Sequence, residues 1–332
     1  MDSLFLKQEE IFTFYKRDGE KIERKTELRF DPLTGESSRI VVDPGIKLTP
    51  PNYTDMAEKT GGENCPFCLE NIHEQTPIFS KEQDNITHGK AIVFPNLFPY
   101  SKYNGVTIFS DQHFIRLEEF TTSLLKDAFI ACQTYIKRVI DREEKPVYIS
   151  INWNYLPLSG GSMLHPHLHV IISESATNYQ NRFERKCRAF QENHEVDYLS
   201  SLYQYEKEVG ERWIGENGNI AWLHAYSPKG HNDFISIFRD KSSIEDLTDQ
   251  DWSHFAKGLQ AIFATLAEQG LASFNMGLTF ANTGSPIHAR LIPRLDFGEL
   301  HTSDFNYFQV IHDEGLTYKA PEKVAALARK HF

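Results

Sequence analysis

The order of apolar segments repeats along the chain, and this repeat constrains the fold more than any other feature. Each half carries two short apolar runs, a long segment with helical spacing and two further runs. In the long segments apolar residues recur at three- and four-residue intervals, which predicts helices over about 121–141 and 249–269. Thr248 and Asp251 have the spacing of an N-terminal cap for the second helix. The predicted strands cover residues 91–94, 105–110, 147–152 and 167–172 in the first half, and 220–226, 234–238, 274–280 and 287–292 in the second.

This order predicts an α+β fold. Consecutive strands with one helix per block favour a mostly antiparallel sheet packed against a long helix in each half. Residues 1–64 are polar and carry turn signals, so no strand or helix is predicted before residue 91. The stretch 178–218, in which charges of both signs alternate, is predicted to connect the two halves and to be partly helical.

Length and charge exclude several classes of protein. A chain of 332 residues suits two domains or one large domain. Lys and Arg number 35 against 46 Asp and Glu, and the net charge of −11 disfavours nucleic acid as a partner, since phosphate backbones need clustered cations. No apolar run approaches the ~20 residues of a membrane span. The N-terminal segment lacks the layout of a signal peptide, and four cysteines are too few for a disulfide scaffold. We therefore expect a soluble, cytoplasmic protein that binds neither nucleic acid nor membranes.

Three histidines alternate with apolar residues in one predicted strand. In the segment His165-Pro166-His167-Leu168-His169-Val170, the histidines share one face, because side chains alternate along a strand. The other face is apolar and suits a core. The three imidazoles could form an exposed polar face or a metal clamp, but we favour catalysis. A neutral imidazole, with an ordinary pKa of ~6.5, is a good nucleophile toward phosphorus near pH 7.

Small residues lie directly before these histidines. Ser159, Gly160, Gly161 and Ser162 would let backbone N–H groups approach a phosphate. The segment lacks the Gly-Lys-Ser/Thr ending of a Walker loop. Beside an imidazole nucleophile, such donors would stabilise charge on the non-bridging phosphate oxygens.

Cys65 and Cys68 form a Cys-x-x-Cys pair whose spacing suits zinc. Two sulfurs fill only half of a tetrahedral site, and His113 and His165 are candidates for the remaining ligands. A thiol redox motif is the alternative, although such a motif normally follows a buried strand and this pair follows a predicted loop. Cys132 lies on the apolar stripe of a predicted helix and is interpreted as a core residue.

Taken together, these residues resemble the galactose-1-phosphate uridylyltransferase family of the histidine-triad superfamily. The resemblance spans most of the chain and depends on the order and spacing of short motifs. These motifs are Asp31-Pro32-Leu33-Thr34-Gly35, Cys65-Pro66-Phe67-Cys68, Asn96-Leu97-Phe98-Pro99, Asn154 and Ser162 ahead of His165-Pro166-His167, Phe274-Asn275-Met276-Gly277 and His288-Ala289-Arg290.

The resemblance implies two histidine-triad-like repeats, which we assign to domains 1–190 and 191–332. It also implies a homodimer that binds a nucleotide sugar and a sugar phosphate. The implied zinc ligands are Cys65, Cys68, His113 and His165. By the same resemblance His167 is the nucleophile, and Asn154 and Ser162 contact the phosphates of the substrate.

Three departures from the family pattern bear on function. The position of His169 is usually Gln in the transferases, whereas in the wider superfamily a third histidine accompanies hydrolysis. Ile46, Lys47 and Leu48 occupy the region of an early arginine pair that helps to hold phosphate. Some members carry a second metal site built from one Glu and three His. Glu184 and His288 match two of those ligands, but Thr279 and Arg290 replace the others, so we expect that site to be lost.

The sequence therefore predicts a zinc-containing nucleotidyltransferase that acts on a nucleoside diphosphate sugar through a nucleotidyl-histidine. The catalytic residues are predicted to be His167 and His169. The substrate-binding residues are predicted to be Asn154, Gly160, Gly161, Ser162 and Arg290, although a structural ion pair is the more common role of an Arg on a strand. The alternatives are a phosphorylase or hydrolase of nucleotide sugars or dinucleotides, and a non-catalytic nucleotide-binding protein with structural zinc.

Overall fold

The computed structural model describes residues 1–42, 48, 51–81, 85–143, 147–280, 284–297 and 302–332. Residues 46 and 47, in the region of the early arginine pair, lie outside the described residues. The strands in chain order are β1 (Lys7–Tyr15), β2 (Lys21–Phe30), β3 (Ser37–Ile40), β4 (Ile86–His88), β5 (Ala91–Pro95), β6 (Tyr103–Ile108), β7 (Tyr148–Tyr155), β8 (His167–Ser173), β9 (Trp213–Asn217), β10 (Ile220–His224), β11 (Phe234–Phe238), β12 (Ser273–Phe280), β13 (Ile287–Arg294), β14 (Asp296–Phe297), β15 (Thr302–Ser303) and β16 (Gly315–Thr317). The α-helices are α1 (Thr54–Thr60), α2 (Ile72–Gln75), α3 (Thr122–Ile140), α4 (Asn178–His194), α5 (Tyr198–Val209), α6 (Asp249–Glu268), α7 (Tyr307–Val310) and α8 (Pro321–Ala328).

One large antiparallel sheet runs through both halves of the chain. Within the described ranges its order is β4-β5-β6-β8-β7-β12-β13-β11-β10-β9. Strands β7 and β12 pair at the centre, and the order of strands outward from them is the same on both sides. The predicted α+β fold with two repeats is confirmed. The division into domains near residue 190 stays a prediction, and the sheet itself is continuous across the two repeats.

The two long helices cover one face of this sheet and define its core. Helices α3 and α6 pack against each other and bury apolar side chains from both repeats, including Leu168 and Val170 of β8. The predicted cap is present, because the Thr248 hydroxyl accepts from the backbone N–H of Asp251 and the Asp251 carboxylate accepts from the backbone N–H of Thr248. No helix in the described ranges has the length and apolar character needed to cross a membrane.

The opposite face of the sheet carries the polar side chains. Since Leu168 and Val170 point into the helix-covered core, the side chains of His167 and His169 point to this second face. Helices α4 and α5, from the predicted connection, cover the second-repeat part of the face through a smaller apolar cluster. On the first-repeat part of this face lie the short segments around the Cys-x-x-Cys pair.

The prediction of no regular structure before residue 91 is wrong. Strands β1, β2, β3 and β16 form a separate four-stranded sheet, and α1 precedes the cysteines. Every residue of β1 is exposed, so this strand has no buried face to impose the alternation of apolar and polar residues by which strands are found in sequence.

Candidate active site

The predicted nucleophile lies at the start of β8, between β6 and β7. His167 pairs with Ile108 of β6, and His169 pairs with Val106 of β6 and Asn152 of β7. The same register, continued along β7, brings Asn154 to the level of His167. The two imidazole centroids are 5.0 Å apart, with the rings edge to face.

Hydrogen bonding sets the tautomer of His167. Its Nδ1 lies 2.9 Å from the backbone oxygen of His165. A carbonyl oxygen can only accept, so Nδ1 carries the proton and the lone pair is on Nε2. The ring is largely buried, with the Phe67 ring against it at 5.3 Å, and this burial lowers the pKa of His167. The imidazole is therefore neutral and held in the tautomer that leaves Nε2 able to attack.

His169 is a second neutral imidazole beside the first. Burial, followed by the proximity of His167, lowers the pKa of His169 to about 4. Its Nδ1 is buried and has no hydrogen-bond partner among the described residues. The Tyr100 ring lies 5.8 Å from it, on the segment that joins β5 to β6. A neutral imidazole in this position can accept a proton next to the reacting atoms.

The four predicted metal ligands come together directly behind the nucleophile. The ligand atoms of Cys65, Cys68, His113 and His165 all lie within 4.8 Å of one another. The Nδ1 atom of His165 is 3.8 Å from each sulfur, and the Nδ1 atom of His113 is 3.5 Å from the Cys68 sulfur. Metal–sulfur bonds of ~2.3 Å and metal–nitrogen bonds of ~2.0–2.1 Å at tetrahedral angles put S and N about 3.6 Å apart. The residues present therefore fit a closed tetrahedral metal site.

Second contacts orient the two histidine ligands. Nε2 of His165 lies 2.8 Å from the Ser110 carbonyl oxygen, and Nε2 of His113 lies 3.0 Å from the Thr60 hydroxyl. A carbonyl oxygen can only accept, and the Thr60 hydroxyl already donates to the Met56 carbonyl oxygen at 2.8 Å, so both contacts place the proton on Nε2. Nδ1 of each ring is left free to bind a metal, the arrangement expected around a histidine ligand. Because the His165 carbonyl also accepts from His167, a metal on His165 would hold the nucleophile in place through the backbone.

The small-residue loop lies between β7 and β8, next to Asn154. Gly160 has φ +85°, a left-handed conformation that favours glycine. A Cβ atom on Gly161 would lie 3.0 Å from the Asn154 carbonyl oxygen, so a side chain there would crowd the loop. Ser162 is exposed. The structure thus brings Asn154, Gly160, Gly161 and Ser162 into one segment that leads to His167.

Asn275, from the second repeat, forms hydrogen bonds with this segment. Its side-chain nitrogen donates to the Asn154 side-chain oxygen and to the Ser159 carbonyl oxygen, each at 2.8 Å. The contact exists because β12 pairs with β7 in a register that sets Asn275 opposite Asn154. Asn275 therefore fixes the orientation of a predicted substrate-binding side chain.

An apolar hollow of about 170 Å³ lies beside the nucleophile on the same face. Ile108, the cross-strand neighbour of His167, lines its wall, and Lys90 and Asp111 form an ion pair of 3.4 Å at its rim. The other lining residues are Phe67, Leu69, Ile72 and Ile92. A hollow with apolar walls and a few polar groups suits a flat, partly polar group such as a nucleobase.

Strand β13 has in the second repeat the place that β8 has in the first, one strand out from the central pair. His288 and Arg290 alternate on β13 with Ala289 and Leu291, which lie in the core, so both polar side chains point to the other face of the sheet. Strand β13 thus presents one histidine and one arginine on this face, where β8 presents His167 and His169.

The predicted role of Arg290 in substrate binding is not supported by contact with the nucleophile. Its guanidinium binds both oxygens of Asp233, one of them at 3.0 Å, and Asp233 is fully buried. Strands β7 and β12 lie between β8 and β13, which at ~4.8 Å per strand separates Arg290 from His167 by at least ~14 Å. The geometry favours the structural alternative for this residue.

The remaining residues of the predicted second metal site are placed around this pair. Nε2 of His288 lies 2.8 Å from the Tyr179 hydroxyl, and Thr279 is buried opposite His288 on β12. Glu184 is buried on α4. Burial, followed by the charge of Arg290, lowers the pKa of His288 to about 3. A guanidinium and a phenol therefore occupy the place where further metal ligands would stand.

We expect Asp233→Ala to destabilise the protein by roughly 3–5 kcal/mol, because it leaves the Arg290 guanidinium buried without its counter-ion. Urea denaturation would measure the change in the free energy of unfolding. The control is the double variant Asp233→Ala with Arg290→Met, which removes both charges and should recover most of the loss. A single-variant loss below about 1 kcal/mol, the range of an exposed pair, would contradict the structural role.

Several residues that contact the site could not be identified as functional from the sequence motifs. Phe67, which packs on His167, lies directly before Cys68 in the Cys-x-x-Cys motif, and its position there predicts no contact with His167. Asn275 lies in the Phe274-Asn275-Met276-Gly277 motif, and the asparagines at similar places in β7 and β12 are the signal that could have indicated it. The role of Asp233 could not be predicted from the sequence, because its partner Arg290 is 57 residues away along the chain.

Comparison with known proteins places this geometry among related folds. No family model matches the chain. An uncharacterized protein from Archaeoglobus fulgidus is 32% identical over 320 residues, which cover 94% of each chain. At this identity and coverage the two chains belong to one family.

Solved structures share the fold at low sequence identity. A GalT-like protein from Arabidopsis thaliana has a TM-score of 0.70 at 18% identity, covering 91% of this chain and 98% of that one. An ADP-glucose phosphorylase from Arabidopsis thaliana, solved with bound ADP-glucose, has a TM-score of 0.71 at 18% identity, with 92% and 99% covered. A uridylyltransferase has a TM-score of 0.67 at 17% identity, with 92% and 98% covered.

Proposed function

This chain and its archaeal relative form one family with the galactose-1-phosphate uridylyltransferase fold. From this premise we propose that the protein is a nucleotidyltransferase. Its donor is a nucleoside diphosphate sugar. The observation that carries the proposal is the hydrogen bond from Nδ1 of His167 to the His165 carbonyl, which leaves the Nε2 lone pair beside a loop of small residues and an apolar hollow.

The reaction has two displacement steps. Nε2 of His167 attacks the α-phosphorus, the bond from that phosphorus to the bridging oxygen breaks, and the sugar phosphate leaves with the electron pair. An oxygen of the acceptor then attacks the same phosphorus. The P–N bond breaks, and its electron pair returns to Nε2. His167 ends as the neutral imidazole with which it began.

The surrounding residues would bind the two ends of the donor. Asn154, Ser162 and the backbone N–H of Gly161 could donate to phosphate oxygens, and donors fixed before the reaction stabilise developing charge. The N–H of Gly160 already donates to the Pro157 carbonyl oxygen at 2.9 Å, so Gly160 would contribute the turn and not a donor. The base would enter the apolar hollow against Phe67, with its polar edge toward Lys90 and Asp111 at the rim. The α-phosphorus would then lie between the hollow and the loop, at His167.

The metal held by Cys65, Cys68, His113 and His165 is proposed to be zinc. Two thiolates and two imidazoles in a tetrahedral arrangement are the usual ligands of structural zinc. With four protein ligands the site has no open position, so zinc would supply stability and would not bind substrate. Its link to the reaction is the His165 carbonyl, which orients His167.

A second candidate, transfer to water, is favoured by His169. A phosphate dianion or a sugar phosphate can attack without losing a proton, whereas water must lose one. His169 is a neutral imidazole beside the nucleophile and could take that proton. A glutamine could not. The structural similarity to an ADP-glucose phosphorylase also makes phosphate an acceptor to test.

Covalent labelling tests the shared first step. Incubation with UDP-glucose or ADP-glucose labelled at the α-phosphate should transfer the label to the protein, and the adduct should be labile in acid and stable in base, as a phosphoramidate is. Peptide mapping should locate the label at His167. A protein that only binds nucleotides would give no adduct, and an adduct on another residue would overturn the assignment of the nucleophile.

The acceptor is identified by discharging the labelled protein. Each isolated adduct is mixed with a hexose 1-phosphate, inorganic phosphate or buffer alone, and the nucleotide product is measured. Fast release by the sugar phosphate identifies a transferase, by phosphate a phosphorylase, and in buffer alone a hydrolase. Repeating the buffer reaction with His169→Gln would show whether this imidazole assists water.

A further inference from the structure

Arg294 lies on β13, three strands from the strand of the nucleophile, and is connected to the candidate active site through Asn275. Ile292 pairs with Asn275 of β12, so Arg294, two residues further along, is a diagonal neighbour of Asn275 on the same face of the sheet. Its Nη1 atom lies 3.4 Å from the side-chain oxygen of Asn275. Since Asn275 contacts Asn154, Arg294 is separated from a predicted phosphate-binding side chain by one residue only.

The Arg294 side chain is held by two hydrogen bonds and by an aromatic ring. Its Nε donates to the Asp304 carboxylate at 2.9 Å, and its Nη2 donates to the Ser303 hydroxyl at 3.1 Å. The Phe305 ring packs against the guanidinium, with 4.8 Å between the ring centroid and Cζ. Asp304 is itself buried. The guanidinium therefore faces Asn275 in one fixed orientation.

Two neighbours that can each take only one hydrogen-bonding role fix the amide group of Asn275. A guanidinium can only donate, so the atom of Asn275 that faces Arg294 is the oxygen. The Ser159 carbonyl oxygen can only accept, so the Asn275 atom 2.8 Å from it is the nitrogen. Because this nitrogen also donates to the Asn154 side chain at 2.8 Å, the atom that Asn154 presents to it is an oxygen.

The amide nitrogen of Asn154 consequently faces away from Asn275. It has no hydrogen-bond partner within the ranges that the structure describes, and the Asn154 side chain is exposed. The register of β7 and β8 sets Asn154 at the level of His167. Its N–H groups are therefore available to a phosphate oxygen beside the nucleophile. An Asn154 amide turned the other way would present its oxygen, which a phosphate oxygen repels.

We propose that Arg294 is a positioning residue for nucleotidyl transfer, which acts through Asn275 to turn the N–H groups of Asn154 toward the phosphates of the donor. The inference rests on the proposed function, since it names what sets the direction of one substrate contact. Hydrogen bonds in series polarise one another, so the positive charge of Arg294 also strengthens the last donor. The second repeat thus orients a side chain that serves the nucleophile of the first.

A purely structural role is the alternative for Arg294. Its hydrogen bonds also tie residues 303 and 304 to β13, and loss of this contact could disturb the site without any change at Asn154. A structural defect slows the reaction whether or not the Asn154 amide is present, whereas a positioning residue has nothing to orient once that amide is removed. A double-mutant cycle measures this difference.

The measured quantity is the rate of label transfer from the α-phosphate-labelled donor to the protein in a single turnover. Arg294→Met should slow labelling at least ~10-fold and Asn154→Ala on the order of 100-fold, because a developing charge loses a donor. In the Asn154→Ala background, Arg294→Met should change the rate by less than about threefold. Arg182→Met is the matched control, because Arg182 forms an ion pair of equal length, 2.9 Å, from α4 to Asp313, and it should leave the rate unchanged.

Substitution of Asn275 tests the direction of the hydrogen bonds. Asn275→Asp keeps the shape of the side chain and an acceptor for Arg294, but a carboxylate cannot donate, so the N–H groups of Asn154 would turn toward it and away from the phosphate. Asn275→Ala leaves Asn154 free to rotate. Labelling should therefore be slower in Asn275→Asp than in Asn275→Ala, and the difference should disappear in the Asn154→Ala background. A residue that only fills space would give the opposite order, which would overturn the proposal.

Equal slowing by Arg294→Met with and without the Asn154 amide would also overturn the proposal, and so would an Arg294→Met protein that is labelled at the unmodified rate. Both results leave the proposed function intact, because the unmodified protein is still labelled at His167. An unmodified protein that takes no label would instead overturn the proposed function. The same cycle is then measured by calorimetry on the dissociation constant of UDP-glucose, where a coupling between Arg294 and Asn154 of less than about threefold, or no binding at all, would overturn the positioning role as well.

Discussion

His167→Ala protein should lose both the covalent label and turnover, with the rate reduced at least ~1,000-fold. A methyl group cannot attack phosphorus, and each tenfold loss corresponds to about 1.4 kcal/mol of barrier, so the variant would lack roughly 4 kcal/mol or more. The side chain of His167 is not among the predicted metal ligands. The metal content should therefore stay that of the unmodified protein.

The measurement combines steady-state turnover with the labelled donor and a metal determination on the same sample. His194→Ala is the matched control, because His194 is an exposed histidine in the last turn of α4 and should leave all three quantities unchanged. Turnover of the His167→Ala protein within about tenfold of the unmodified enzyme would show that another group carries the nucleotidyl transfer.

Cys65→Ser should release the metal and destabilise the protein by at least about 4 kcal/mol, the range reached when a structural metal is lost. Cys65 is fully buried, and its sulfur lies 3.8 Å from Nδ1 of His165. Without the metal, the His165 ring loses a fixed partner, and the carbonyl that orients His167 loses its anchor. Activity should fall together with stability, and one zinc ion per chain should be found in the unmodified protein and none in the Cys65→Ser variant.

Cys132→Ala separates this effect from the general cost of replacing a buried cysteine. Cys132 is also fully buried, but it lies on α3 and its thiol donates to the Thr107 hydroxyl. The control should retain zinc and full activity and lose stability only by the amount of a small core change. If Cys65→Ser retains zinc, or unfolds at the same denaturant concentration as Cys132→Ala, the metal assignment is wrong.

The order of strands and helices in each repeat could be predicted from the local pattern of apolar and polar residues. Leu168 and Val170 alternate with His167 and His169, and alternation over a few residues identifies both a strand and its two faces. The helical spacing of apolar residues and the Thr248–Asp251 cap defined α6 in the same way. Strand β1 could not be predicted in this way, because its apolar residues lie on both faces and mark no buried side.

Site residues that lie within one short motif, such as His165 and His167, could be predicted from the sequence. The four metal ligands come from three separate segments, and their grouping was implied by the family resemblance and is present in the structure. The contacts of Phe67 with His167 and of Asn275 with Asn154 depend on how distant segments pack, and spacing along the chain does not report packing.

The sequence by itself determined the main strands and the long helix of each repeat, which side chains share a face with His167, and which residue types are available for nucleotidyl transfer. Only the tertiary structure decided that β7 pairs with β12 to join the repeats, and that Asp233 engages Arg290 about three strands from the nucleophile. The physical reason is the separation along the chain of the residues that interact. Periodicity is set by neighbouring residues, whereas strand partners and buried ion pairs are selected by contacts between residues far apart in the chain.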